Sequence, residues 1–443
     1  MTLKFGTDGV RGRAFVDLKP EWVTRLACSA AQVLQSDTVV IGTDGRESGP
    51  AFVEALQKGF HSQGLSVWFM GTVPTPAIAH IAATNGIAGA MVSASHNLSI
   101  DNGIKLLSVG GKKLNDGDQK QIENILQSED FHSLPISGSD LEPTHAHLIQ
   151  DWVSSLLGSI NGRTLEGTSV VIDCANGAVS SYAADALRSL GVSVQSIHDS
   201  PDGSNINKGC GSTNTKSLQL AVKECDADLG LAFDGDADRV LAIGRSGRII
   251  DGDYMIAICA EDMKERKCLN EDTTVVTVMT NMGFHLAMQA KGIRVHQTPV
   301  GDRQVLAALE ENNWSLGGEQ SGHVIFSDLA TTGDGLLTGI QLLDIIKRSG
   351  GDLEELADSA MVRYPQVLKQ VDLPSGRVAI EGSLLGEIKK VERELGEDGR
   401  VLVRRSGTEP VLRIMVESVT FEKAETTANR LVFAAEAYFA ALQ

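Results

Sequence analysis

Short apolar runs rich in β-branched residues recur along this chain, and stretches of helical periodicity separate many of them. The runs are 39–42 (VVIG), 66–70 (SVWFM), 88–93 (AGAMVS), 169–173 (SVVID), 193–197 (SVQSI), 229–233 (LGLAF), 240–244 (VLAIG) and 273–278 (TTVVTV). The helical stretches include 21–35, 50–63, 178–190 and 216–225. Strand, helix and strand at this spacing predict a parallel-rich α/β fold, because parallel neighbours need a crossover that a helix supplies. A chain of 443 residues is too long for one core and predicts about three or four domains. The helical stretch 145–157 followed by the polar NGRTLEGT marks a boundary near 162. Others fall near 252–255, after IIDGDY, and near 364–370, where YPQVLKQVDLP breaks the pattern. The expected segments are therefore 1–161, 162–253, 254–366 and 367–443. The last runs strand, loop, strand and a long helix over 422–442, a small α+β unit. GTDG occurs at 6–9 and 42–45, too short a match to claim duplication.

A net charge of −18 argues against nucleic acid or an anionic membrane as partner, since both need clustered Lys and Arg. A phosphorylated substrate needs only a local basic pocket. The six cysteines (28, 174, 210, 225, 259, 268) form no CxxC pair, and most sit in apolar or helical stretches, which predicts reduced thiols. MTLKFGTDGVRG has no apolar signal-peptide core, and no run of 18 apolar residues exists. The expectation is a cytoplasmic enzyme.

Five stretches carry chemistry. GTDGVRG, 6–12, is a glycine-rich turn from which Arg11 projects. MVSASHNLSIDNGIK, 91–105, ends an apolar strand on Ser95 and His96, then turns to Lys105. The G-x-S-x-G elbow of acyl-transfer hydrolases is absent, so Ser95 is not an acyl-enzyme serine of that kind. LGLAFDGDADRV, 229–240, delivers Asp234, Asp236 and Asp238 from an apolar strand. Three carboxylates this close need a cation, and hard oxygen donors suit Mg²⁺. Arg239 stands where an EF-hand loop needs glycine, which excludes that reading. TPVGDR (298–303) and LGGEQSGH (316–323) offer Glu319, Ser321 and His323, groups able to bind sugar hydroxyls. VLVRRSGTEPVLRIMVES, 401–418, places Arg404, Ser406, Gly407 and Thr408 in a basic turn between two strands. Backbone N–H groups, hydroxyls and a guanidinium there form a phosphate cradle.

FGTDGVRG, SASHN…DNGIK, DGDADR, GGEQSGH and RRSGTEP, in this order over essentially the full length, resemble the α-D-phosphohexomutase superfamily. GEQSGH, SGTEP and NINKGCGSTN (205–214) resemble its amino-sugar branch. The resemblance implies three related α/β domains and a smaller α+β fourth around a central cleft. It implies that Ser95 carries a phosphoryl group and that Asp234, Asp236 and Asp238 hold Mg²⁺ with an oxygen of phosphorylated Ser95. Arg11, Lys105 and Arg239 match basic groups nearby, and His96 shapes the serine loop. Glu319 and Ser321 match sugar-hydroxyl readers, and His323 a proton shuttle. Arg404, Ser406, Gly407 and Thr408, helped by Arg413, match the distal phosphate site.

The implied reaction interconverts glucosamine 6-phosphate and glucosamine 1-phosphate through a 1,6-bisphosphate, feeding UDP-N-acetylglucosamine and cell-wall precursors. Glucose or glucosamine 1,6-bisphosphate is the implied activator, and a homodimer the implied assembly. Lys105 and His323 both stand as candidates for the base that deprotonates the attacking sugar hydroxyl. A glucose or mannose preference, a haloacid-dehalogenase-type phosphatase built on DGDADR, and a phosphosugar sensor are the alternatives. One departure stands out: Leu98 occupies the position after SASHN where relatives carry proline. Proline would fix φ and remove a donor, so Leu98 predicts a more mobile loop.

Overall fold

The structure, a computed structural model, describes residues 4–6, 8–128, 142–374, 380–406 and 410–441. The chain divides into two compact units, Met1–Met279 with Gly292–Ala360, and Thr280–Lys291 with Met361–Gln443.

The first unit holds three sheets. The first comprises β1 (Val10–Arg13), β2 (Thr38–Thr43), β3 (Ser66–Thr72), β4 (Ala88–Val92), β5 (Asp101–Ser108) and β6 (Lys112–Lys113), in the order β1-β5-β4-β2-β3 with β6 on β5. The second comprises β7 (Ser169–Asp173), β8 (Ser193–Ile197), β9 (Leu229–Phe233), β10 (Val240–Gly244) and β11 (Ile249–Ile250), in the order β11-β10-β9-β7-β8. The third comprises β12 (Thr273–Thr277), β13 (Arg294–Thr298), β14 (Leu316–Gly318) and β15 (Val324–Phe326), in the order β13-β12-β14-β15.

All three contain one pattern. Two outer strands pair parallel with a central one: β3 and β4 with β2, β8 and β9 with β7, β13 and β14 with β12. An antiparallel strand then follows: β5 on β4, β10 on β9, β15 on β14. The loop before that return strand carries Ser95 in the first sheet, the aspartate triplet in the second and GEQSGH in the third. Each therefore starts at the carboxyl end of a parallel strand, the edge where open α/β sheets bind ligands.

β4, β9 and β12 are buried at every residue, which explains the unbroken apolar sequence of β4 and β9. In the first sheet, Val39, Ile41 and Val92 pack with Phe52, Leu56 and Phe60 of the helix Gly49–Ser62. Each fully buried large side chain contributes about 1.5–3 kcal/mol, so the ends of these strands are held firmly. All eight expected strands form, but two helical expectations need correction. The helix expected over 21–35 ends at Ala31, and the chain turns through Gln35 at φ 49°. The stretch 178–190 splits into a 3₁₀ turn, Ala178–Ser181, and a helix, Ala183–Ser189, on either side of the non-helical Tyr182. The boundary expected between 253 and 254 falls inside the first turn of the helix Gly252–Glu265, which Asp251 caps by accepting from the Tyr254 N–H. All six cysteines are free, four of them buried.

The second unit has a three-stranded antiparallel sheet of β16 (Gln366–Asp372), β17 (Gly399–Arg405) and β18 (Val411–Ser418), in the order β16-β18-β17. The helices Gly382–Leu395 and Phe421–Ala440 cover it through Leu384, Ile388, Leu431 and Phe439. The helix Met282–Ala290, the crossover between β12 and β13, belongs to this unit. Glu417, fully buried, holds it there: its carboxylate accepts from Met282 N–H at 2.9 Å, Asn281 Nδ2 at 3.2 Å and Arg400 Nε at 2.6 Å. Among the described residues, no helix is long and apolar enough to cross a membrane.

Candidate active site

The serine loop and the aspartate loop meet. Ser95 Oγ donates to Asp234 Oδ2 at 2.7 Å although 139 positions separate them. Ligand atoms of Asp234, Asp236 and Asp238 lie within 4.8 Å of one another, and all three residues are buried. Burial and the neighbouring Asp238 and Asp236 push the Asp234 carboxyl up to about 8. The Oδ1 atoms of Asp236 and Asp238 are buried without a hydrogen-bond partner. Hard, mutually repelling oxygens, two of them orphaned, fit a divalent cation such as Mg²⁺, which takes carboxylate donors.

Cations surround the triplet. Lys105 Nζ lies 2.7 Å from Asp236 Oδ2, 3.0 Å from Asp238 Oδ2 and 2.9 Å from Asp8 Oδ2. Burial lowers the Lys105 pKa, but Asp236, Asp238 and Asp8 outweigh it and hold the ammonium well above its ordinary value. Lys113 Nζ bridges Asp8 Oδ1, at 2.8 Å, and Asp302. Arg11 Nη2 reaches Asp8 Oδ2 at 2.5 Å. Burial raises Asp8, yet Lys105, Lys113 and Arg11 together keep it well below the usual carboxylate range. Arg239 donates its N–H to Asp234 Oδ1 at 3.2 Å and brings Nη1 to 3.2 Å from His96 Nδ1. His96 Nδ1 lies 3.3 Å from Ser95 Oγ. Burial, then the charges of Arg239 and Arg11, lowers His96 to about 4, so it is neutral near pH 7 and accepts from Arg239.

His323 is buried, and its Nε2 accepts from the Gly333 N–H at 3.2 Å. Its Nδ1 faces Asp238 Oδ1 at 3.8 Å, beyond a direct hydrogen bond. Burial lowers its pKa, but Asp238 and Asp302 raise it further, leaving the ring more basic than usual. Glu319 Oε1 accepts from the Gly301 N–H at 3.0 Å, and burial raises its pKa. Ser321 is exposed at the turn between β14 and β15.

Ser95, His96, Lys105, Arg11, the aspartate triplet, Arg239 and His323 thus form one network in the first unit. Arg404, Ser406 and Arg413 lie in the second, and Gly407 and Thr408 lie outside the described residues. Arg404 and Arg413 are directly paired across β17 and β18. Burial and the Arg413 charge lower the Arg404 pKa, and Arg404 Nε is buried without a hydrogen-bond partner. Like charges opposite each other destabilise a sheet, and an anion between them removes the repulsion.

Sequence reasoning passed over Asp8, Lys113, Asp302, Thr75 and Arg46. Asp8 and Asp302 sit inside the motifs GTDGVRG and TPVGDR, which point to Arg11 and to no particular residue respectively. Thr75, whose Oγ1 donates to Asp236 Oδ2 at 2.5 Å, starts the helix Thr75–Asn85 with no motif around it.

Models of the four domains of the phosphoglucomutase/phosphomannomutase family match this chain: alpha/beta/alpha domain I at 2–133, domain II at 150–247, domain III at 251–364 and the C-terminal domain at 355–433. The chain belongs to the phosphoglucomutase/phosphomannomutase family. It is 45% identical over 445 residues to the phosphoglucosamine mutase of Oceanobacillus iheyensis, covering 99% of each chain. Among solved structures it is similar to a phosphoglucomutase/phosphomannomutase family protein from Burkholderia thailandensis, with TM-score 0.79, 25% identity and 97% of each chain covered. It shares its fold with the Aspergillus fumigatus N-acetylphosphoglucosamine mutase solved with GlcNAc-6P and magnesium, with TM-score 0.71, 16% identity, and 98% of this chain and 96% of that one covered.

Proposed function

We propose that this chain is a phosphoglucosamine mutase, interconverting glucosamine 6-phosphate and glucosamine 1-phosphate with Ser95 as phosphoryl carrier. The observation that carries the reading is Ser95 Oγ at 2.7 Å from an aspartate triplet with two orphaned buried oxygens. Full-length identity to phosphoglucosamine mutases supports the choice of sugar. The segments 1–161, 162–253, 254–366 and 367–443 are its four domains, the second starting after the turn at 162.

The reaction has two transfers. In the first, the bond from Ser95 Oγ to phosphorus breaks and one from the sugar O1 to phosphorus forms, and the proton of the O1 hydroxyl ends on Ser95 Oγ, which is released as the hydroxyl. The 1,6-bisphosphate then reorients. In the second, the bond from the sugar O6 to phosphorus breaks and one from Ser95 Oγ to phosphorus forms, the Ser95 hydroxyl proton ends on O6, and glucosamine 1-phosphate remains. Asp234, Asp236 and Asp238, with an oxygen of the phosphorylated Ser95, would hold Mg²⁺, which when bound neutralises charge on the transferring phosphoryl oxygens. Lys105, held as an ammonium, stabilises the same charge and is not poised as a base. Arg11 and Arg239 add fixed positive charge on either side of Ser95. His96 keeps Arg239 aimed. His323, the remaining candidate for the base that relays these protons, faces Asp238 through Nδ1 while its Nε2 is occupied by Gly333. Glu319 and Ser321 read sugar hydroxyls. Arg404, Ser406, Gly407 and Thr408, with Arg413, bind the phosphate that is not reacting.

A 1,6-bisphosphate of glucose or glucosamine serves as activator, rephosphorylating Ser95 when the intermediate escapes. The same reading places the enzyme in the cytoplasm as a homodimer acting on a small phosphosugar. The test is Ser95→Ala assayed with glucosamine 6-phosphate and a 1,6-bisphosphate activator, beside a kcat/KM comparison of glucosamine, glucose and mannose phosphates. The expected outcome is loss of turnover in the variant and preference for glucosamine in the wild type. Near wild-type mutase activity of Ser95→Ala would sink the assignment, and preference for another hexose would correct the substrate.

A further inference from the structure

Ser95 sits at φ 53°, a left-handed conformation that is strained for a non-glycine residue. Such strain persists only where surrounding structure enforces it. Two buried side chains do so here. Arg46, fully buried in the loop after β2, uses all five of its N–H groups. Nε donates to Asp44 Oδ2 at 2.8 Å. Nη2 donates to the carbonyls of Ser95 and Asn97, both at 2.9 Å. Nη1 donates to the carbonyls of Leu98 at 2.5 Å and Asp101 at 3.1 Å. Asp44 Oδ2 also accepts from Ser93 Oγ at 2.7 Å, and Ser93 Oγ accepts from the Ser95 N–H at 2.8 Å. One guanidinium thus binds four carbonyls of the serine loop, and its carboxylate partner reaches the loop's amide side through Ser93.

The second side chain arrives from the stretch NINKGCG, before β9. Asn207 Nδ2 donates to the same Ser95 carbonyl at 2.8 Å and to that of Asn97 at 2.9 Å. Its Oδ1 is buried without a hydrogen-bond partner. Exchanging the amide O and N would set an acceptor against two carbonyls, so the amide orientation follows from its surroundings. The aspartate loop packs on this junction: a Cβ on Gly235 would lie 2.7 Å from both Asn207 Nδ2 and the Ser95 carbonyl. Glycine between the first two aspartates is what lets them approach Ser95.

We propose that Arg46 and Asn207 are positioning residues of the phosphoryl transfer. Between them they take both lone pairs of the Ser95 carbonyl, hold its strained backbone, and aim Oγ at the aspartate triplet. The inference rests on Ser95 as the carrier. The guanidinium also fixes this loop at position 98, through the Leu98 carbonyl.

Asn207→Gly is the decisive variant, since Asn207 itself lies at φ 56° and glycine keeps that backbone while removing the amide. Wild type and variant are phosphorylated with labelled glucose 1,6-bisphosphate, and transfer to glucosamine 6-phosphate is followed in a single turnover. Substrate affinity and melting temperature are measured alongside. Misplacing a reacting atom by about 1 Å costs on the order of 100-fold in rate. The expected result is a transfer rate lower by about that factor with substrate affinity within about threefold of wild type. A transfer rate within about threefold of wild type would overturn the proposal, whatever happens to the melting temperature. Arg46→Lys is the second variant should Asn207→Gly not fold, because one ammonium cannot span four carbonyls; the same two outcomes decide it. Failure of the underlying reading looks different: label would not appear on wild-type Ser95 at all.

Discussion

Replacing Thr75 with valine tests whether the helix behind the aspartate triplet tunes it. Thr75 Oγ1 donates to Asp236 Oδ2 at 2.5 Å, and the Thr75 N–H donates to the Asp236 carbonyl at 3.0 Å. Valine keeps the side-chain shape and the backbone bond and removes only the hydroxyl. A hydrogen bond to a buried charged group contributes roughly 1.5–3 kcal/mol. Its loss leaves Asp236 Oδ2 with the Lys105 contact at 2.7 Å, and Oδ1 remains without a hydrogen-bond partner. Partners behind metal ligands are worth roughly 10- to 100-fold in metal affinity, which is about 1.4–2.8 kcal/mol. The two independent ranges coincide, so Thr75→Val should raise the Mg²⁺ midpoint by about 10- to 100-fold. Turnover at saturating Mg²⁺ should change far less. The assay is mutase activity against free Mg²⁺, with urea unfolding measured with and without the ion. An unchanged Mg²⁺ midpoint beside a lowered urea midpoint would mean that the hydroxyl supports only the fold, and the reasoning would be refuted.

Three further outcomes are expected. Burial, and then the Arg400 charge, lowers His285 to about 4, against a weaker opposing hydrogen bond with the Thr280 backbone. Because the folded value lies below the ordinary 6.5, stability is full above 6.5 and falls as the pH drops toward 4, by up to about 3 kcal/mol. His285→Gln should unfold in urea with a shallower loss between pH 7 and pH 4.5, and parallel losses would contradict this. Arg404→Gln removes one of two facing guanidiniums, so it should raise KM for the phosphosugar at least about tenfold while leaving the melting temperature unchanged or higher. A fall in melting temperature with KM intact would contradict the cradle. Gly103→Ala would bring a Cβ to 2.5 Å from the Ser93 carbonyl and 2.8 Å from that of Val10. Both obstacles are backbone, so the serine loop must shift, and turnover should drop by more than about tenfold; retained activity would show that the loop tolerates displacement.

The sequence shows strands such as β4 and β9 clearly because every residue of each is buried, leaving the runs AGAMV and LGLAF with no polar face to confuse the reading. Helix ends were less legible: Gln32 to Gln35 continue the periodic pattern of the helix before them, yet the chain turns there to enter β2. The shared pattern of the three sheets is not legible as a sequence repeat, since buried strands accept many apolar residues of suitable size and a common pairing order needs no common residues. Ser95, Lys105 and the triplet were legible as residue types whose crowding needs a reason. Arg46 was not, because a lone arginine in GTDGRESG looks the same whether it faces solvent or is buried beneath four carbonyls. Asn207 hid within NINKGCG for the same reason: its function is a hydrogen bond to a loop more than a hundred residues earlier.

Charge explains why these parts belong together. Lys105 is shared among Asp8, Asp236 and Asp238, and Lys113 between Asp8 and Asp302, so no lysine in the network is left over for an added anion. A phosphoryl group on Ser95, as proposed, would bring roughly −1.5 to −2 more charge to an atom already 2.7 Å from Asp234. With the protein's own groups alone, that state is repelled. A divalent ion among the triplet would restore the balance, and the orphaned Oδ1 atoms of Asp236 and Asp238 are placed to receive one. When the phosphoryl group moves to the sugar, the total charge of enzyme and substrate does not change; it shifts by a few bond lengths. A site balanced in this way favours neither end of the transfer strongly, which a reversible mutase needs. On the proposed mechanism the remaining demand is geometric: Ser95 Oγ would have to meet phosphorus in the same place on the outward and return steps. A strained serine held by fully engaged buried donors meets it better than a loop stiffened only by its own sequence.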